Sequence, residues 1–224
     1  MSQLNLPFAA RRAQERGDFL VASANQDAIA WIDRWPDWPG HVLALHGPQG
    51  CGKSHLVQVL AVRANTRIIA AAELAAGPNF GADLPDIVVV EDGPPPGAGE
   101  MELFHLINWL REHRRSLLLT GRAAPARWPV ALPDLGSRLA AVTAVAITAP
   151  DENLLAAVLL KQFADRQIQV EPKLVDFIVA RIERSFAAVQ VVVAALDDAS
   201  LAAGRRVTIP LAREIHSTNA RNSS

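Results

Sequence analysis

The sequence of 224 residues has a single cysteine, Cys51, and almost no net charge, with 22 basic and 23 acidic side chains. One cysteine excludes an internal disulfide framework and is typical of a reducing compartment. The absence of a basic excess excludes a protein that wraps nucleic acid with its whole surface. No apolar run reaches membrane-spanning length, and charged residues at positions 11–18 interrupt any secretory signal. We therefore expect a cytoplasmic protein with no membrane partner.

Half of the residues are hydrophobic, so the chain can bury a substantial core. Short apolar runs alternate with helical patterns over the first 150 residues. The runs predict strands at His41–His46, Arg67–Ala71, Asp86–Val90, Ser116–Thr120 and Val142–Thr148. The helical patterns lie at Ser23–Trp35, Ser54–Ala64 and Met101–His113. This alternation predicts an α/β domain with a parallel five-stranded sheet flanked by helices.

The pattern changes after Pro150 to helices alone. Asp151 is the expected N-cap of a helix that ends at Asp165, and helices are also predicted over Pro172–Arg184 and Phe186–Ala203. Gly204 is a C-cap signal, and a last short helix is expected to start near Thr208. We thus predict an N-terminal tail at 1–17, an α/β nucleotide-binding domain at 18–150 and a small helical domain at 151–224.

A glycine-rich loop between the first strand and the second helix carries the strongest functional signal. It fits the pattern G-x-x-x-x-G-K-[ST], whose backbone N–H groups cradle phosphates at a helix N-terminus. Lys53 is expected to reach the β- and γ-phosphates and Ser54 to ligate Mg²⁺. The predicted nucleotide contacts are Gly47, Pro48, Gln49, Gly50, Cys51, Gly52, Lys53, Ser54, His55 and, after the fourth strand, Thr120.

Two acidic residues follow the third predicted strand. One of Glu91 and Asp92 is expected to hold the Mg²⁺ shell, while Asp92 is the candidate to polarise an attacking water. Alone, such acids are more often the solvated end of a buried strand. Their combination with the phosphate loop favours the functional interpretation and predicts ATP or ADP with Mg²⁺ as the ligand.

Several segments resemble the AAA+ module of the replication initiator DnaA, and in particular the Hda family, the regulatory inactivators of DnaA. They are Asp18–Asn25, Gly52–Leu56, Leu103–Asn108, Leu117–Arg122, Leu132–Leu139 and Leu196–Leu201. The resemblance covers nearly the whole chain. It implies an AAA+ domain with a helical lid, which binds the DNA polymerase III sliding clamp (beta) and stimulates hydrolysis of DnaA-bound ATP. It also implies that DNA is reached only indirectly, through the clamp.

The same resemblance assigns two further functional elements. The N-terminal residues Gln3, Leu4, Leu6, Pro7 and Phe8 are similar to the family's clamp-binding peptide. Arg138 is the candidate arginine finger, which would act in trans on the ATP of another molecule. The competing interpretation of Arg138 is a surface residue paired with Asp134, one helical turn earlier.

Three departures from the family pattern predict weak intrinsic hydrolysis. Ala187 stands where a sensor arginine is expected, although Arg181 or Arg184 could substitute for it. Glu91-Asp92 replaces two aspartates, and Arg122 replaces an acidic residue. A longer carboxylate fits tight Mg²⁺ geometry poorly. We therefore expect a nucleotide-holding protein rather than an efficient stand-alone ATPase.

Two other functions stay open at this stage. One is a stand-alone P-loop ATPase or kinase, which would show robust ATP turnover. The other is a loader-type AAA+ subunit that forms rings, which Arg138 does not exclude because a ring also needs an arginine facing the neighbouring subunit. A homodimer stays open as well. The tryptophans Trp31, Trp35 and Trp38 are expected to cover the region beside the nucleotide.

Overall fold

Five short runs of Val, Ile, Leu and Ala form the central sheet. The computed structural model describes residues 24–77, 84–93 and 98–222. Its strands are β1 (Val42–His46), β2 (Thr66–Ala70), β3 (Ile87–Glu91), β4 (Ser116–Gly121) and β5 (Thr143–Ala146). They pair in parallel in the order β2-β3-β4-β1-β5. All six residues of β4 are buried, as expected for a central strand covered on both faces. The predicted sheet is confirmed.

Four helices belong to this α/β unit. They are α1 (Gln26–Asp33), α2 (Lys53–Ala61), α3 (Ala98–Glu112) and α4 (Pro133–Ala140), with short 3₁₀ turns at Pro39–His41, Ala71–Ala76 and Pro125–Arg127. Leu103 of α3 and Leu135 of α4 belong to one buried cluster with alternate residues of the strands. The strand residues in this cluster include Val88, Val90, Leu117 and Leu119. Because α4 begins at Pro133, the favoured first position, its N-terminus is set by the sequence.

One of the tryptophans expected near the nucleotide lies elsewhere. The indole N–H of Trp35 donates to Ser116 Oγ at 3.1 Å, and Ser116 is the first residue of β4. In a parallel sheet all amino ends lie at one edge, opposite the edge where the glycine loop follows β1. Trp38 is buried and donates to the carbonyl oxygen of Trp31 at 2.8 Å. The expectation for Trp35 is therefore wrong.

The chain divides into two units. The first comprises the described residues up to Pro48 together with Gly52–Thr148, and the second comprises Gln49–Cys51 and the described residues from Ala149 onward. The second unit contains helices α5 (Glu152–Asp165), α6 (Pro172–Val179), α7 (Phe186–Ala203) and α8 (Ile209–Asn222). Its core is formed by apolar side chains from all four helices, including Leu155, Leu159, Phe163, Leu174, Ile178, Val189, Val193 and Leu211.

Local capping signals fix most of these helix ends. The carboxylate of Asp151 accepts from Leu154 N at 2.7 Å, and Gly204 ends α7 with φ of 59°. The prediction for α6 is wrong at its carboxyl end, because the helix stops at Val179 rather than Arg184. Ser185 has extended backbone and accepts from Ala188 N at 3.1 Å as the N-cap of α7, so the chain must leave the helix before it. Helix α8 is also longer than expected.

Helix α7 has the length and the apolar composition that would allow it to cross a membrane. Among the described residues no other helix meets both criteria. Three of its side chains, Val189, Val193 and Leu196, are buried in the core of the second unit. A core helix of a helical domain meets the same criteria, but only these three of the 18 residues of α7 are buried.

Candidate functional site

The glycine loop begins where β1 ends and stops where α2 starts. Gly47 N donates to Gly121 O at 3.1 Å, which ties the first residue of the loop to the end of β4. Gly52 has φ of 104°, a conformation that favours glycine, and it directly precedes Lys53, the first residue of α2. The strand, loop and helix that a phosphate site needs are therefore in sequence, with the N-terminus of α2 at the loop.

Lys53 is held inside this loop. Its side-chain amine donates to Gly47 O at 2.9 Å and to Pro48 O at 2.8 Å, and the residue is only 8% exposed. These two hydrogen bonds place the side-chain amine beside the backbone of the loop. A lysine amine in this place can exchange its carbonyl contacts for phosphate oxygens without a large movement.

The apex of the loop, Gln49–Cys51, belongs to the second unit. There, Phe186 N donates to Gly50 O at 2.9 Å. Gly50 has φ of +75°, and a Cβ added to it would lie 2.5 Å from Ser185 Cβ. Both the backbone conformation and the close approach of Ser185 therefore require glycine at this position.

The remaining predicted loop residues differ in exposure. Ser54 is exposed in the first turn of α2, His55 is half-buried beside it, and Cys51 is buried. Pro48 and Gln49 are exposed. The exposed hydroxyl of Ser54 is thus available to a hydrated Mg²⁺, which prefers oxygen ligands.

The two acids lie at the same edge of the sheet as the loop. Glu91 is the last residue of β3, and Asp92 follows it with φ of 66°. Since β4 separates β3 from β1 and all three are parallel, their carboxyl ends meet at one edge. Neither carboxylate has a hydrogen bond or ion pair within the described part of the chain. They are accordingly free to bind an ion or its water shell.

Thr120 holds the segment that carries these acids. Its hydroxyl accepts from Asp92 N at 3.2 Å and its carbonyl accepts from Gly93 N at 2.7 Å. Thr120 is 2% exposed in β4, the strand adjacent to β1. The predicted role as a nucleotide contact stays a prediction, while the structure gives Thr120 a second role in positioning Asp92.

The described residues contain no preformed metal cluster. Across these ranges, no three His, Cys, Asp or Glu side chains come together in a way that could hold a metal ion. The assignment of Ser54, Glu91 and Asp92 to a magnesium site stays a prediction. Mg²⁺ commonly binds through few protein ligands, with water and substrate phosphates as the others.

The electrostatic environment at the end of β1 is positive. Burial lowers the pKa of His46 below its ordinary value of 6.5, and the charges of Arg127 and Lys53 lower it further. His46 is thus neutral at neutral pH and adds no charge that would compete with a bound cation. Its neighbours, however, favour an anion.

We expect His46 to make the fold less stable in acid. Because its folded pKa lies below the unfolded value of about 6.5, the unfolded chain binds the proton first. The free energy of unfolding should therefore fall as the pH drops below about 6.5, until the folded pKa is passed. Urea denaturation on both sides of this range should show a smaller loss for His46→Asn than for wild type. An equal loss in both proteins would contradict this assignment.

Arg138 lies in the last turn of α4 and is half-buried. Its guanidinium carbon lies 4.9 Å from the centroid of the Phe104 ring on α3. Within the described residues it forms no ion pair, so the alternative pairing with Asp134 does not occur. The charge of Arg138 is therefore neither neutralised nor enclosed in the core, as an arginine that acts on a partner requires.

The candidate substitutes for the sensor arginine have other partners. Ala187 is exposed near the start of α7. Arg184 forms an ion pair with Glu152 at 2.6 Å, and Arg181 stacks on Phe177 at 3.8 Å from the ring centroid. Arg122 is exposed after β4.

The predicted clamp-binding peptide cannot be placed in the fold. The N-terminal residues Gln3, Leu4, Leu6, Pro7 and Phe8 lie outside the described residues.

Two residues near Arg138 had no predicted role. Glu100 is buried on α3 and accepts hydrogen bonds from the backbone that precedes α4, while Phe104 contacts Arg138. Each contact joins residues more than 30 positions apart. The apolar periodicity of α3 places Phe104 near the core but does not indicate which residue its ring contacts. The sequence therefore carries no signal for the contact of Phe104 with Arg138 or for that of Glu100 with the backbone before α4.

Comparison with known families identifies the second unit. Residues 151–215 match the family model "Hda, lid domain". The second unit is therefore similar to the lid domain of the Hda family. This match confirms the prediction of a helical lid after the α/β domain. The matched residues span α5, α6, α7 and the first half of α8.

Several solved structures have a fold similar to that of this chain. Domain III of DnaA from Thermotoga maritima superposes with a TM-score of 0.75 at 15% identity, covering 90% of this chain and 94% of that one. AMPPCP-bound DnaA from Aquifex aeolicus has a TM-score of 0.68 at 14% identity, and the match covers 83% of this chain and 65% of that one. The Thermotoga maritima RuvB Holliday junction branch migration motor has a TM-score of 0.66 at 13% identity, and the match covers 92% of this chain and 72% of that one. The chain has the fold of these AAA+ proteins and spans less than two thirds of the length of the Aquifex DnaA chain.

Proposed function

We propose that the chain is an Hda-type regulator of replication initiation, which stimulates hydrolysis of DnaA-bound ATP in trans. The observation that carries the proposal is the match of residues 151–215 to the Hda lid domain. A DnaA-like AAA+ fold ahead of that lid supports it, because proteins with one fold can pair through related surfaces. Its effect would be to convert the initiator from its ATP form to its ADP form.

The proposed resident ligand is an adenine nucleotide, ADP in preference to ATP, with Mg²⁺. Gly47–His55 would bind the phosphates, with Lys53 as the fixed cation and Ser54, Glu91 and Asp92 as the magnesium-facing oxygens. Support comes from the glycine loop at the N-terminus of α2 and from the AMPPCP that an Aquifex DnaA of the same fold binds. Bound Mg²⁺ would neutralise phosphate charge.

Efficient hydrolysis by the chain itself is not part of the proposal. Ala187 supplies no charge at the position of the family's sensor arginine, and Arg181 and Arg184 interact with Phe177 and Glu152. Asp92 can orient a water, but transition-state charge would lack a second cation. The nucleotide then acts mainly as a ligand that stabilises the folded state.

Arg138 is the proposed arginine finger. Its guanidinium contacts the Phe104 ring and forms no ion pair within the described residues, so its N–H donors can make bidentate contact with phosphate oxygens. The absence of a carboxylate partner among the described residues means that no ion pair must break when ATP arrives. An arginine supplied in trans is worth about 10³–10⁵ in rate for known fingers.

The sliding clamp is the proposed second partner. Gln3, Leu4, Leu6, Pro7 and Phe8 would dock as an extended peptide, and a short peptide of this kind binds modestly alone. Loading onto clamp-bearing DNA raises the local concentration and would bring DnaA into range. DNA itself would be contacted only through the clamp, and these partners imply a cytoplasmic location.

The proposal is tested by following the nucleotide on DnaA with clamp loaded on DNA. Conversion of DnaA-bound ATP to ADP should accelerate only when this protein and the loaded clamp are both present. Deletion of residues 1–8 should remove the clamp dependence but leave nucleotide binding unchanged. If the intact protein has no effect on DnaA-bound ATP and instead turns over free ATP rapidly, the chain is a stand-alone ATPase.

A further inference from the structure

Helix α3 presents two side chains to the segment that carries Arg138. Glu100 and Phe104 are four residues apart, and residues at this spacing lie on one face of a helix. Glu100 contacts the backbone that enters α4, and Phe104 contacts Arg138 near the other end of α4. One face of α3 therefore contacts both ends of the short helix.

Glu100 fixes the start of α4. Its carboxylate accepts from Ala131 N at 2.9 and 3.1 Å and from Leu132 N at 2.9 Å, and the residue is 5% exposed. Charge-assisted hydrogen bonds of this kind are strong, particularly in a buried setting. Pro133 follows immediately as the first residue of α4. The helix thus has a fixed origin relative to α3.

The ring of Phe104 contacts the guanidinium group of Arg138. The ring packs against the buried cluster that includes Leu103 and Leu135, which limits its motion. The guanidinium carbon lies 4.9 Å from the ring centroid, within the range of a cation–π contact. An aromatic face attracts the guanidinium without occupying its N–H donors, unlike a carboxylate partner.

We propose that Phe104 is a positioning residue for Arg138, which preorders the guanidinium on α4 before the partner's ATP arrives. This inference rests on the function proposed above. An arginine side chain has many rotamers, and holding it in one orientation before the encounter reduces the entropy lost in the transition state. The ring would therefore raise the stimulated rate while contributing little to the affinity for the partner.

The test measures hydrolysis of DnaA-bound ATP at increasing concentrations of this protein, with variants at position 104. Each variant is described by its maximal rate and by the protein concentration that gives half of that rate. Phe104→Leu and Phe104→Met retain apolar volume but lack an aromatic face. Both should lower the maximal rate about threefold to tenfold and leave the half-saturating concentration unchanged. Phe104→Tyr should restore the wild-type rate, because it keeps the ring.

A double-mutant cycle separates positioning from general structure. In an Arg138→Ala background, Phe104→Leu should cause no further loss, since the residue that it positions is absent. An equal loss in both backgrounds, or loss with the tyrosine variant equal to that with leucine, would overturn the inference. Full activity of Phe104→Leu and Phe104→Met would also overturn the inference about Phe104. In that case, a large loss of the stimulated rate in Arg138→Ala would still support the proposed function. If Arg138→Ala alone loses nothing, the proposed function fails as well.

Discussion

Alanine in place of Arg138 is expected to lower the stimulated hydrolysis of DnaA-bound ATP by about 10³-fold or more. The guanidinium would face the transferring phosphoryl group, where charge increases in the transition state, and no other group in α4 carries a positive charge. Single-turnover decay of DnaA-bound ATP at saturating concentrations of this protein measures the effect. Binding of the clamp should stay unchanged, because Arg138 has no role there.

Two matched variants sharpen this prediction. Arg111→Ala removes an exposed arginine of α3, in the same unit, and should keep the wild-type rate. Arg138→Lys keeps the charge but loses the planar fork, so we expect it to recover only part of the rate. Equal rates for wild type and Arg138→Ala would show that the arginine finger lies elsewhere in the complex.

Alanine in place of Lys53 is expected to weaken ADP binding roughly 100-fold, because hydrogen bonds to charged groups contribute about 1.5–3 kcal/mol each. The amine lies against Gly47 O and Pro48 O, where it can turn to the phosphates, and α2 alone cannot replace its charge. Titration calorimetry measures the affinity. At the same ADP concentration, the melting temperature should also rise less for the variant than for wild type.

Lys173 supplies the control for this experiment. It is exposed at the start of α6, and Lys173→Ala removes one positive charge with no change at the loop. Its affinity for ADP should equal that of wild type. If Lys53→Ala binds ADP as tightly as this control, the loop is not a phosphate site and the resident nucleotide must bind elsewhere.

The sequence predicts the sheet well because its signals are local. Strands β3 and β4 are apolar runs bounded by charge or Gly, and β4 is buried along its whole length. The ends of α5 and α7 are likewise predicted from Asp151, a single capping side chain, and from Gly204, a residue suited to positive φ. Such features depend on neighbours within a few residues, so the chain alone contains the information.

The environment of Arg138 depends on contacts between distant segments. The ring of Phe104 lies 34 positions away from it in the sequence, and Glu100 reaches Ala131 across 31 positions. Neither contact can be predicted from the helical periodicity of the sequence. The periodicity shows which face of α3 is buried, but it does not show which residue of another segment packs against that face. The predicted end of α6 is wrong for a related reason: the apolar pattern continues past Val179, but Ser185 has extended backbone and caps α7.

The most direct test of the account asks which molecule's nucleotide is hydrolysed. DnaA is loaded with labelled ATP and this protein with unlabelled ADP, and the two are mixed on DNA that carries the clamp. We predict rapid appearance of labelled ADP on DnaA, dependent on Arg138. In the reverse labelling, ATP bound to this chain should persist while the DnaA-bound ATP decays. Rapid loss of this chain's own ATP, with DnaA-bound ATP unchanged, would contradict an arginine that acts in trans.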